Sequence, residues 1–126
     1  MSIEQRRYVR HLAKNNTFAA LRNGSIIIGK INDISTDGLA FSFLSETTQA
    51  DFAVHQTMVD IFDPKNGFHI HRVPCEIVYD IPDSSHNKGL FVRMSRCGLQ
   101  FGEITGSQFE QLEFFIKNYT TGISDV

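Results

Sequence analysis

Three arginines, Arg6, Arg7 and Arg10, fall within five residues near the start of the chain. With Lys14 they oppose only Glu4 across residues 4–14, a local charge of +3 in a chain whose net charge is −2. A basic arm on an otherwise acidic body points to an anionic partner. The guanidinium fork takes two acceptors at once, from a phosphate or from the O6/N7 edge of guanine, and its plane stacks on a flat ring. The competing use of such a run is to keep a chain end soluble. A second stretch with chemical potential is Asp33-Ile34-Ser35-Thr36-Asp37-Gly38. Asp33 can accept from a base edge, Ser35 can donate or accept, and Gly38 lets backbone approach a ring closely. Read as a turn alone, the same residues cap their own backbone, with Gly38 suited to a left-handed conformation.

Other reactive side chains point less clearly. His69-Ile70-His71 puts two imidazoles on one face of a strand, a spacing that can hold a metal. No carboxylate at ligand spacing accompanies them, although Cys75 is near, so they read as a solvent-facing pair and no metal site is assigned. Cys75 and Cys97 lie far apart without a CxxC spacing and read as buried free thiols. Arg93 and Arg96 can add to a basic face, and Tyr8 and His11 can stack on a base or cover protein surface. There is no GxSxG, HExxH or Walker-type loop, so no catalytic residue is assigned and the chain reads as a binding module rather than an enzyme.

The elements that must position these groups are mainly strands. At 126 residues with eleven Phe and no Trp, the chain suits one domain with a packed core. No apolar run approaches the ~20 residues of a membrane helix, and no signal peptide is visible, so a cytoplasmic location is expected. The acidic balance argues against a general nucleic-acid binder. Thr17–Arg22 and Ser25–Asn32 read as strands around Asn23-Gly24, a type I′ hairpin signal. Leu39, Phe41 and Phe43 alternate with Ala40 and Ser42, a period of two. Met58–Phe62, Phe68–Ile81 with Pro74 at an edge or bulge, Leu90–Met94 and, after a tight turn, Gly98–Phe101 complete the β series. Strands joined by short turns without intervening helices indicate an antiparallel barrel or sandwich. At the end, Thr105…Gln108 and Ser107…Glu110 both fit a capping box. Phe109, Leu112, Phe115, Ile116 and Tyr119 then recur at helical spacing.

The combination of RxxxR at Arg6–Arg10 with DxSxxG at Asp33–Gly38, in that order and separation, resembles the PilZ domain, the bacterial receptor module for cyclic di-GMP. Gly98-Leu99-Gln100-Phe101 before the last helix adds a third likeness, to the closing strand of that family. The resemblance runs from Arg6 to about Tyr119. It implies a mostly β fold: a six- or seven-stranded antiparallel barrel with a C-terminal helix and a flexible N-terminal arm. The corresponding divisions are residues 1–16 for the arm, 17–104 for the barrel and 105–120 for the helix, in a single domain over 1–126.

The resemblance also implies a ligand mode. Arg6 and Arg10 are the principal grips on guanine edges and phosphates, Arg7 a further contact, and Asp33, Ser35 and Gly38 the second half of the site. The ligand is cyclic di-GMP, with no other cofactor, no metal, no nucleic acid and no membrane insertion. The expected function is a receptor that couples the level of this second messenger to a protein partner by ordering the arm. The alternatives are a PilZ-like adaptor that docks on a protein with weak or no nucleotide binding, and, further off, a single-strand nucleic-acid binder.

Overall fold

The computed structural model describes residues 8–46, 56–82 and 92–124. Eight strands and one helix follow in the order β1 (His11–Ala13), β2 (Phe18–Asn23), β3 (Ser25–Ile34), β4 (Gly38–Glu46), β5 (Gln56–Asp63), β6 (Phe68–Pro82), β7 (Val92–Phe101), α1 (Gly106–Asn118) and β8 (Thr120–Ile123). The sheet order β2-β5-β6-β7-β4-β3 closes through a β2–β3 pairing, and β1 and β8 continue outward from β3. This is a closed six-stranded antiparallel barrel with two outer strands and a C-terminal helix. Closure removes the unpaired edges that an open sheet of this size would expose.

Period-two alternation sends Leu21, Ile31, Leu39, Phe41, Val59, Ile61, Cys97 and Leu99 inward, all essentially without exposure. Each such Leu, Ile or Phe contributes about 1.5–3 kcal/mol by leaving water. The helix closes the core with Leu112 and Phe115, while Phe114 stacks on Phe68 from outside. Of the two capping boxes in the sequence, the one used is Thr105 with Gln108. Cys75 and Cys97 are free and buried, and burial pushes both thiols up to about 12, with the negative charges of Asp80 and Cys75 adding to the effect at Cys97.

Four local expectations change. Residues 92–101 form one unbroken strand rather than two around a turn, because Ser95, Cys97 and Leu99 keep the inward alternation. Asn23 pairs with Ser25 in the ladder, so Gly24 alone takes the positive φ, 79°, at the hairpin tip. Gly38 is not left-handed, since the positive-φ glycines among the described residues are Gly24 and Gly67. Finally, His11–Ala13, expected within the arm, is a strand held between β3 and β8.

Bulges matter more than any of these. Ile31 and Ile34 both point inward although an even strand would send one of them out. The extra residue, Asn32, is absorbed as a register shift against β4. Similar shifts occur in β6 opposite β7 between Ile77 and Tyr79, and between β5 and β6 at Val59–Ile61. Bulges of this kind re-aim side chains.

Candidate functional site

The β3 bulge sets up the site. It brings Asp33 into register with Ala40, on the outer face, and Leu12 of β1 pairs with Asp33 on its other side. Ala40 in turn pairs with Gly98, and Gly98 with Tyr79. One row across the wall therefore reads Leu12, Asp33, Ala40, Gly98, Tyr79. The two small residues in its middle leave a shallow floor. The Tyr79 ring lies over Gly98, where a β-carbon would sit 2.1 Å from the ring. The bulge in β6 puts Tyr79, and not Val78, opposite Gly98.

Across this floor two arginines converge on one carboxylate. Arg10 donates to Asp33 Oδ1 at 3.0 Å, and Arg96 donates to Oδ2 at 3.1 Å. Arg96 also donates through Nε to the Tyr79 hydroxyl at 3.3 Å. Burial alone lowers the Arg96 pKa, but Tyr79 and Asp33 outweigh it and raise the group above its ordinary value. Asp33 is only 4% exposed. A buried carboxylate is tolerated because each oxygen has a charged donor. Arg10 is held through its backbone too, since its carbonyl accepts from the Ser124 N–H at 2.8 Å.

The turn after β3 is tightly tied. The Ser35 hydroxyl donates to Asp37 at 2.5 Å and accepts from the Asp37 N–H at 3.1 Å. The Ser35 N–H donates to the Gly38 carbonyl at 2.8 Å, and the Phe101 N–H donates to the Asp37 carbonyl at 2.8 Å. Ser35 is fully buried, so its hydroxyl shapes the turn. Gly38 packs against β7, where a β-carbon would come within 2.2 Å of the Leu99 carbonyl oxygen.

Of the residues singled out in the sequence, Arg10 and Asp33 are in direct contact, and Ser35 and Gly38 form the adjoining turn. Arg6, Arg7 and the Arg93 side chain lie outside the described residues. Arg96 enters as a full member of the site, and Tyr79 joins it with no signal in its neighbourhood other than the small Ala40 and Gly98. A groove of about 320 Å³ runs beside the site between Tyr8, His11, Thr36 and the helix residues Glu113 and Lys117. A larger one, about 850 Å³, lies at the far end of β5–β7 among Thr57, Pro74, Glu76, Gln100 and Glu103. Its two carboxylates, with no cation lining it among the described residues, make it a poor receiver of anions.

Fold and site together define a small β-barrel that presents a cationic cluster on its outer wall. The family model for the PilZ domain matches residues 4–118, and the chain belongs to that family. Its backbone is similar to the "PilZ domain with c-di-GMP of YcgR from Escherichia coli", with a TM-score of 0.70, 14% identity, and 92% of each chain covered. It is also similar to the MrkH–c-di-GMP complex of K. pneumonia, with a TM-score of 0.70 and 17% identity, covering 92% of this chain and 52% of that one. MrkH in its apo state gives a TM-score of 0.65 at 16% identity, with 94% and 52% covered. The chain thus spans about half the length of MrkH. No curated protein sequence matches significantly. No helix among the described residues is long and apolar enough to cross a membrane.

Proposed function

We propose that this chain is a receptor for cyclic di-GMP. The observation that carries the reading is the 3.0 Å pair between Arg10 and Asp33, which joins the two sequence motifs into one site. The ligand has two phosphates and two guanines, and needs cations, donors to the guanine O6/N7 edge and an acceptor for N1–H and N2–H₂. Arg10 and Arg96 supply donors and leave a net positive charge after Asp33 is counted. Arg6 and Arg7, four and three positions before Arg10 in the chain, supply two further guanidiniums for the same ligand. The Asp33 carboxylate offers about four lone-pair directions, of which the two arginines take two, so it retains capacity for a guanine edge. Gly38, by its close approach to β7, and Ser35, by its hydroxyl, fix the shape of the turn beside Asp33. No bond is made or broken. The protein binds and signals.

The signal passes to a protein partner through the arm. β1 is paired on one side with β3, at Asp33 itself, and on the other with β8. A ligand drawing the arm onto the barrel therefore acts next to the outer strands. Val9, Leu12 and Ile123 stand 56%, 43% and 63% exposed there and supply apolar contact for a partner.

Isothermal titration with cyclic di-GMP tests the reading on wild type, Arg10→Ala and Arg96→Ala. Each bidentate arginine contact is worth about 1–3 kcal/mol, so Arg10→Ala should weaken binding roughly tenfold to a hundredfold. Absence of binding by the wild type below about 100 µM (about 5.5 kcal/mol) would overturn it in favour of a protein-docking adaptor. Affinity for oligonucleotides with a steep salt slope would favour nucleic acid.

A further inference from the structure

A second polar cluster lies on the β2–β5–β6 side of the barrel, at the opposite end of β6 from Tyr79. Val59 pairs with Val73 and Ile61 with Ile70, so Asp60 alone faces two residues of β6, His71 and Arg72. Asp60 is 2% exposed. Its Oδ1 accepts from Arg22 Nε at 3.3 Å and from the Arg72 N–H at 3.0 Å. Its Oδ2 accepts from an Arg22 terminal nitrogen at 3.1 Å and lies 3.0 Å from His69 Nε2. Arg72 is left-handed, with φ 52°, the one non-glycine in that region among the described residues. The His69 and His71 rings stack with centroids 3.8 Å apart and planes 20° apart.

Arg22 and the Arg72 N–H suffice to satisfy Asp60 and to hold the bulge. Although burial pushes the carboxyl up, the donors from Arg22, Arg72 and His69 outweigh it and bring its pKa down to about 2, so it is ionised at neutral pH. His69 thus adds to these donors, whereas the His71 ring is not one of them. His71 makes no side-chain hydrogen bond to any described residue beyond its stacking on His69, and both rings are exposed.

We infer that Asp60, His69 and His71 form a binding site for a divalent transition-metal ion of the zinc class. One ligand atom from each of the three lies within 4.8 Å of the others. A tetrahedral zinc with ligands at ~2.0–2.1 Å requires ligand atoms about 3.3 Å apart. The 3.0 Å separation of Asp60 Oδ2 and His69 Nε2 is close to that value, and His71 has to swing on an exposed strand position. Two imidazoles and one carboxylate favour Zn²⁺, Cu²⁺ or Ni²⁺ over Mg²⁺ or Ca²⁺. Arg22 remains on Asp60 as the hydrogen-bond partner that orients a ligating carboxylate. Its positive charge makes the site weaker than a closed four-ligand one. Binding at His69 Nε2 uses the neutral ring with its proton on Nδ1, so the Nε2 contact to Asp60 is exchanged for two bonds to the metal. The remaining coordination position faces water.

The test is titration of ZnCl₂ into the untagged, chelator-stripped chain, with zinc-induced shifts of the histidine ring signals read by NMR. The expected result is one zinc per chain, unaffected by millimolar Mg²⁺, with His69 and His71 the rings that move. His71→Ala should lose at least tenfold in affinity while melting as the wild type does, because its ring has no partner in the fold except His69. Failure of the wild type to bind below about 100 µM overturns the inference. So does wild-type affinity in His71→Ala, or movement of other histidines instead. None of these outcomes bears on nucleotide binding.

Discussion

Asp33 shows what a single side chain does here. It is buried, charged and shared between Arg10 and Arg96, so removing its charge leaves two guanidiniums facing one another. The residues around it that carry no side-chain chemistry are equally constrained. A methyl group at Gly38 meets backbone, the Leu99 carbonyl at 2.2 Å, whereas one at Gly98 meets the Tyr79 ring at 2.1 Å. Backbone in a closed barrel cannot retreat, but a ring 37% exposed can. Gly38→Ala should therefore cost about 1–3 kcal/mol of stability. Gly98→Ala should cost less but release the Tyr79 hydroxyl from Arg96. Urea midpoints and nucleotide titrations on the two variants separate these effects: the first variant moves mainly the midpoint and the second mainly the affinity. Equal midpoint losses would contradict this assignment of their contacts.

At the scale of elements, the helix cap does more than its motif states. A capping box needs only that residue N3 accept from the N-cap N–H, and Glu serves as well as Gln. Here Gln108 Oε1 accepts from the Thr105 N–H at 3.0 Å while its Nε2 donates to the His71 and Arg72 carbonyls at 2.9 and 3.2 Å. The start of α1 is thereby fastened to the β6 bulge. Gln108→Glu preserves the box on paper but points a carboxylate at two carbonyl oxygens. It should destabilise by about 1 kcal/mol, while Thr105→Ser, which keeps the cap oxygen, should stay within about 0.5 kcal/mol. Thermal melts of the pair decide it. A Gln108→Glu variant as stable as wild type would mean that this side chain acts only as a cap.

For the whole molecule, the outer strands connect the Arg10–Asp33 site to the helix. β8 follows α1 directly, β8 pairs with β1, and the Lys14 N–H donates to the Tyr119 carbonyl at 2.9 Å. Residues 10–14, β8 and the helix end are thus one hydrogen-bonded unit beside Asp33. If cyclic di-GMP bridges the two motifs, protection from hydrogen–deuterium exchange should rise over residues 4–12 and extend into β8, with little change in β5. Equal exchange with and without saturating nucleotide would remove the arm-ordering route while leaving binding itself intact.

Much of this was legible in the chain. Alternating Leu39, Phe41 and Phe43 determine a strand with one face inward, Phe109 to Tyr119 determine an amphipathic helix, and Arg10 with Asp33 can be paired on the strength of their motifs. Such signals are local, or rest on residue types whose chemistry is narrow. The structure alone decided which residues join them. Arg96 lies 63 positions from Asp33, and Asp60 reaches His69 and His71 only because a neighbouring strand carries it there. Each bulge also shifts parity by one residue, which changes the face a side chain occupies without altering the composition around it. His69-Ile70-His71 looked like a pair without a carboxylate because the carboxylate belongs to another strand. Strand registry, a property of the closed sheet as a whole, made that choice.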